Sequence, residues 1–82
     1  MAKVPTIHLN GTDRETLLEG YMTALTALRK AERAVQATGP NGRDYYPQGE
    51  GAIRVAQEEH ANRLRAIATV IREIEQIAES ID

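Results

Sequence analysis

An all-α fold, an antiparallel hairpin of two long helices that assembles into a helical oligomer, follows from three observations on this 82-residue chain. Two long stretches repeat apolar residues at alternating spacings of three and four. A single glycine- and proline-rich cluster, Gly39 to Gly51, separates them. The chain has no Phe, Trp or Cys, so its core must be built from Leu, Ile, Val and Ala. An aliphatic, alanine-rich interior suits close helix packing and suits a β-sandwich poorly. The length allows one thin domain over residues 1–82, a size at which many chains rely on metals, disulfides or association for stability.

Residues 1–11 read as an extended arm, because Pro5 pushes the residue before it toward extended geometry and Asn10-Gly11 is a turn signal. Helix 1 is predicted over 12–38. Thr12 and Glu15 have the spacing of a capping box, with Leu9 available as a hydrophobic staple, and Asp13 and Glu15 suit the positive end of the helix dipole. Its stripe is Leu18, Tyr21, Leu25, Leu28, Glu32 and Val35, widened by Leu17, Met22, Ala24, Ala31 and Ala34. Gly39 is expected as the C-cap, and Pro40 forbids continuation. After a loop over 39–51, helix 2 is predicted over 52–81, with Ile53, His60, Leu64, Ile67, Ile71, Ile74, Ala78 and Ile81 as its stripe. Each helix is then roughly 40 Å long, and a short connection folds the pair back into a hairpin. Val55, Val70 and Ile77 broaden the second helix beyond one seam. A partner copy is the expected cover, and the arm, with only Val4, Ile7 and Leu9 to offer, is the alternative.

The net charge of −2 argues against a general nucleic-acid binder, and no direct DNA binding is expected. No run resembles a signal peptide, and Ala66 to Ile71 is too short to span a bilayer, so the expected setting is the cytoplasm, with no membrane partner. The absence of cysteine excludes disulfides and thiolate metal sites.

If residues whose numbers total about 90 lie side by side, the loop end (29–65) carries seven basic and five acidic residues. The far end carries three basic and seven acidic ones, so an acidic protein gathers its arginines near the loop. Dipole compensation accounts for Lys30 and Arg33 but not for Arg43, Arg54 or Arg63, which favour an anionic ligand.

Within the loop, Tyr45 and Tyr46 offer ring faces for stacking and Arg43 a forked donor for phosphate. Gln48 adds an amide, and Gly49 and Gly51 allow backbone amides to approach an anion at a helix N-terminus. The spacing is that of neither a P-loop nor a dinucleotide fingerprint. The alternative is structural: the tyrosines cap the bundle over Leu28, Val35 and Ile53, with Asp44 paired to Arg43. His60 and Glu32 occupy opposing core stripes and would face each other as a register-setting hydrogen bond. A di-iron bundle would need Glu-x-x-His, but position 57 is Gln, so no metal is expected. His8 and Asn10 are polar residues positioned to cross to a neighbour. No nucleophile with an adjacent base and no catalytic motif is present, so neither an enzyme nor a cofactor is expected.

HLNGT at 8–12 before the first helix, PNGRDYYPQG at 40–49 in the loop and EEH at 58–60 in the second helix resemble a family of short helical proteins encoded by tailed phages. The resemblance covers most of the chain and transfers no catalytic role. In size and style such proteins are similar to anti-defence sponges, which oligomerise and trap cyclic nucleotides or ADP-ribose derivatives of bacterial immunity (CBASS, Thoeris). The resemblance implies a protein of the infected bacterial cytoplasm that sequesters a small anionic nucleotide without turnover. Arg43, Tyr45, Tyr46, Gln48, Gly49, His60, Arg63, His8 and Asn10 would line sites at subunit junctions. The alternative is a helical interaction module, an adaptor or inhibitor of a host or virion protein.

Overall fold

The structure is a computed structural model that describes residues 2–81, so Met1 of the expected arm and Asp82 of the charge count lie outside the described residues. It is all-helical, with no strand among those residues. α1 spans Arg14–Gln36, α2 is a single turn at Gly42–Tyr45, a 3-10 turn covers Tyr46–Gln48, and α3 spans Ala52–Ser80. α1 and α3 pack against each other, while α2 and the 3-10 turn lie against the start of α3.

The two stripes are the faces that pack. Leu25, Ala56, Ile71 and Ile81 are buried, and the remaining stripe residues are half-buried, Glu32 and His60 among them. The widening positions divide: Leu17, Ala24 and Ile77 are partly covered, as are Ala61 and Ala68 on α3, whereas Met22, Ala31, Ala34, Val55 and Val70 face solvent. No large side chain is completely enclosed among the described residues. The molecule is a rod of 61 × 21 × 16 Å with a radius of gyration of 18.3 Å, against about 12 Å for a compact domain of this length. Its accessible surface is 6403 Å², whereas a compact monomer of this mass exposes about 4,900 Å².

The helices start and stop differently from the sequence reading. Asp13, not Thr12, caps α1: its carboxylate accepts from the Thr16 N–H at 3.1 Å and from the Thr16 hydroxyl at 2.7 Å. Asp and Ser/Thr compete for a cap, and here the carboxylate has both a first-turn amide and a hydroxyl within reach. Leu9 forms no staple, being 98% exposed. At the other end Ala37 is the C-cap, its N–H donating to the Arg33 and Val35 carbonyls, and the Thr38 hydroxyl donates to Val35 O at 2.7 Å. The helix closes on these bonds before reaching Gly39, whose φ is not positive.

The pairing register is also offset. Arg29 and Glu75 form an ion pair at 2.7 Å, and a Cβ on Gly39 would lie 3.7 Å from His60 Nε2. Those pairs total 104 and 99, not 90. The cause is the connection, which does not turn back symmetrically: after α1 ends, α2 and the 3-10 turn run alongside α3 and take the place of further turns of α1. His60 therefore meets Gly39, while Glu32 stands level with the Ala68–Arg72 stretch. The expected Glu32–His60 hydrogen bond is not formed.

Leu25 is 3% exposed, so Leu25→Ala should cost about 2–3 kcal/mol, the low end for such a truncation in a thinly covered core. Arg29→Ala removes an ion pair whose side chains are 44% and 38% exposed, and should cost less than about 1 kcal/mol; denaturant unfolding of both variants measures the contrast. The Thr16 hydroxyl and amide hold the Asp13 carboxyl below its ordinary pKa. Since the folded value lies below the unfolded one, the cap's contribution is present above the unfolded pKa and is lost as pH falls through the folded one. Asp13→Asn keeps the acceptor, so melting curves on acidification should lose that part of the pH dependence.

Candidate functional site

The 39–51 segment is a built structure rather than an open loop. The Asn41 side chain accepts from the Arg43 N–H at 3.0 Å and starts α2, and the Asp44 N–H donates to the Asn41 carbonyl. Pro47 fits near the start of the 3-10 turn, where no amide donor is required. Gly49 ends that turn at φ +101°, ψ 169°, with its N–H donating to Tyr46 O at 3.3 Å. This backbone region is open essentially to glycine alone. The Ala52 N–H then donates to Gly49 O, and α3 begins at Ala52 with Gly51 as its N-cap residue and no side-chain cap.

These turns enclose a groove of about 350 Å³, open to solvent, whose walls are Gly42, Tyr45, Tyr46, Gly49, Glu50 and Ile53. Tyr45 is half-buried and Tyr46 is 78% exposed. The lining is largely apolar, with the Glu50 carboxyl as its one ionisable group other than the tyrosines.

Of the residues singled out by the sequence, the structure thus brings together Tyr45, Tyr46 and Gly49. Arg43 and Gln48 are exposed on the same turns without lining the groove. His60 is half-buried two turns along α3 beside Gly39, and Arg63 is exposed one turn further on. His8 and Asn10 are exposed at the opposite end of the rod, where α1 begins. The sequence reading did not name Gly42 or Glu50 for the site, and it placed Ile53 by the tyrosines only as a core residue that they cap. Tyr46, Gly49, Glu50 and Ile53 follow one another at helical spacing, which would have placed them on one side had 42–53 been read as successive turns.

The tyrosines share their groove with Ile53, as a bundle cap would, but Tyr46 covers little of the core. Asp44 does not pair with Arg43: among the described residues Arg29–Glu75 is the one ion pair. Arg43, Arg54 and Arg63 form no ion pair among the described residues, and the first amides of α3 open beside the groove without a capping side chain. The segment therefore offers aromatic surface, exposed guanidinium donors and a helix N-terminus within a few residues. No described helix is long and apolar enough to cross a membrane. The chain matches no protein-family model, and neither a curated protein nor a solved structure is significantly similar to it.

Glycine substitutions separate backbone need from free space. Gly49→Ala should lose about 1–3 kcal/mol because its φ is positive, although open space surrounds it. Gly51, in right-handed geometry with nothing within 4 Å, should tolerate Ala or gain about 0.4–1 kcal/mol. Thermal unfolding of the two variants gives both signs.

Proposed function

We propose that this protein binds a small anionic nucleotide and lowers its free concentration without converting it. The observation that supports the reading is a groove walled by two tyrosines that opens beside the uncapped N-terminus of a 29-residue helix. A base stacks on a tyrosine face, and its phosphate meets helix amides and the unpaired guanidinium of Arg43 or Arg54. The resemblance of the PNGRDYYPQG stretch to phage proteins, and their likeness in style to anti-defence sponges, makes a cyclic oligonucleotide or a cyclic ADP-ribose the ligand class to try first. The proposed setting is the cytoplasm of an infected bacterium, and the proposed working form is a homo-oligomer. The Glu50 carboxylate on the groove wall opposes phosphate there, so the phosphate belongs on the arginine side and the base on the tyrosine side.

A second reading, a helical module that binds another protein, is favoured by the solvent-facing Met22, Val55 and Val70 on the long helices. The two differ in what removes binding: Tyr46 and Arg43 for the first, the outer helix faces for the second.

A thermal-shift series with cyclic dinucleotides, cyclic trinucleotides and cyclic ADP-ribose isomers tests the first reading. A ligand at about a hundred times its Kd stabilises the fold by about 2.7 kcal/mol. Tyr46→Ala should weaken binding by about 1–3 kcal/mol per stacked base while leaving the unliganded melting temperature nearly unchanged. Arg43→Ala should weaken it and make the loss with salt shallower, since one phosphate-neutralising cation is gone, and Glu50→Gln should not weaken it. No shift with any member of the series would sink the nucleotide reading.

A further inference from the structure

Leu9 is 98% exposed, more than any other large apolar side chain among the described residues. It is not on a frayed end. It sits at the tip of a turn in which the Gly11 N–H donates to the His8 carbonyl at 3.2 Å. The His8 ring lies over that turn so closely that a Cβ on Gly11 would be 2.6 Å from its Nε2. The turn therefore presents a leucine outward on a locally bonded frame, flanked by His8 and Asn10.

We propose that the His8–Leu9–Asn10–Gly11 turn of one copy docks into the Tyr45–Tyr46–Ile53 groove of a second copy. The groove is largely apolar and its volume of about 350 Å³ accommodates a leucine side chain. A molecule cannot fill its own groove. Five residues separate Leu9 from Arg14, a reach of at most about 18 Å even when fully extended, whereas α1 carries the chain about 33 Å toward the groove. Charge favours the contact between copies. With Arg29 level with Glu75, the groove end, residues 29–75, holds eight basic and seven acidic residues, and the described residues of the end bearing Leu9 hold two basic and four acidic ones. Surface area favours it as well: the 6403 Å² exposed by the single chain exceeds that of a compact monomer by about 1,500 Å², the scale of a standard interface.

The contact joins unlike surfaces, so repetition closes a ring or extends a chain. It also gives His8 and Asn10 a place in the nucleotide site, and this part rests on the function proposed above. Leu9 fills the inner groove against Ile53 and Tyr45, the outer face of Tyr46 remains open, and the neighbour's His8 and Asn10 reach its rim. The single chain holds only part of the site.

The test uses the full chain without nucleotide. Analytical ultracentrifugation of the wild type should show self-association that weakens as salt rises. Leu9→Asp, with its helical content checked by circular dichroism, should weaken association by about tenfold or more. The absence of native cysteine allows a geometric check: Leu9→Cys chains mixed with Glu50→Cys chains should form mixed disulfides in clear excess over Leu9→Cys mixed with Glu19→Cys. A wild type that stays monomeric, a Leu9→Asp variant that associates as well as the wild type, or equal cross-linking in the two mixtures would each overturn the docking. Failure here is separable from failure of the nucleotide reading. A monomer that still binds nucleotide overturns only the docking, and a cross-linked assembly that binds none supports the docking while removing the ligand.

Discussion

The apolar seam between α1 and α3 is two helices wide, and the rest of the structure follows from that narrowness. A seam of this kind buries one face of each helix and leaves the flanks wet, which is why Leu25, Ala56 and Ile71 are enclosed while Met22, Val55 and Val70 are not. It also fixes nothing about length. α3 is longer than α1, and its first turns would have no cover if the chain returned immediately after α1. The compact turns at 42–48 supply that cover, and in doing so they create the groove. The candidate site is thus a by-product of finishing a seam whose two sides are unequal.

What was legible in the sequence is what depends on side-chain periodicity. Leu18 through Val35 and Ile53 through Ile81 are the covered faces because three-four spacing leaves no other way to bury them together. The misplaced features depend on where the chain goes between periodic segments. Pairing Glu32 with His60 assumed a symmetric turn, and the turns at 42–48 shift the partner of each α1 residue by several positions. The Thr12 capping box failed for a local reason: Asp13, one residue on, could engage both the amide and the hydroxyl of Thr16. Glu50 escaped notice because glycines on both sides made it read as loop, although it stands one turn before Ile53.

The site divides along the same line. Its aromatic and glycine components, Tyr45, Tyr46 and Gly49, belong to one rigid set of turns, so their neighbourhood followed from adjacency in the chain. Gly49 belongs there for its backbone angles. Arg43 and Gln48 share the turns without lining the groove, since one helical turn cannot direct every side chain to the same side. His8 and Asn10 are more than a helix length away, and no property of a single copy brings them to the tyrosines.

Assembly and ligand capture need not be separate properties of so small a chain. In the proposed arrangement the nucleotide sits where the Leu9 turn of one copy meets the groove of the next. A ligand that touches both copies binds the joined form more tightly than the separate one, and by linkage it strengthens the junction by the same factor. The thin seam then ceases to be a weakness. Folding needs only enough burial to hold two helices together, and the surface left exposed would serve the proposed association. The charge difference between the two ends would steer the proposed association toward head-to-tail contact, and Arg43, Arg54 and Arg63 form no ion pair among the described residues. A second protein could cover Met22 or Val70 in the alternative reading, but it would leave those arginines, the tyrosine groove and Leu9 without a common explanation.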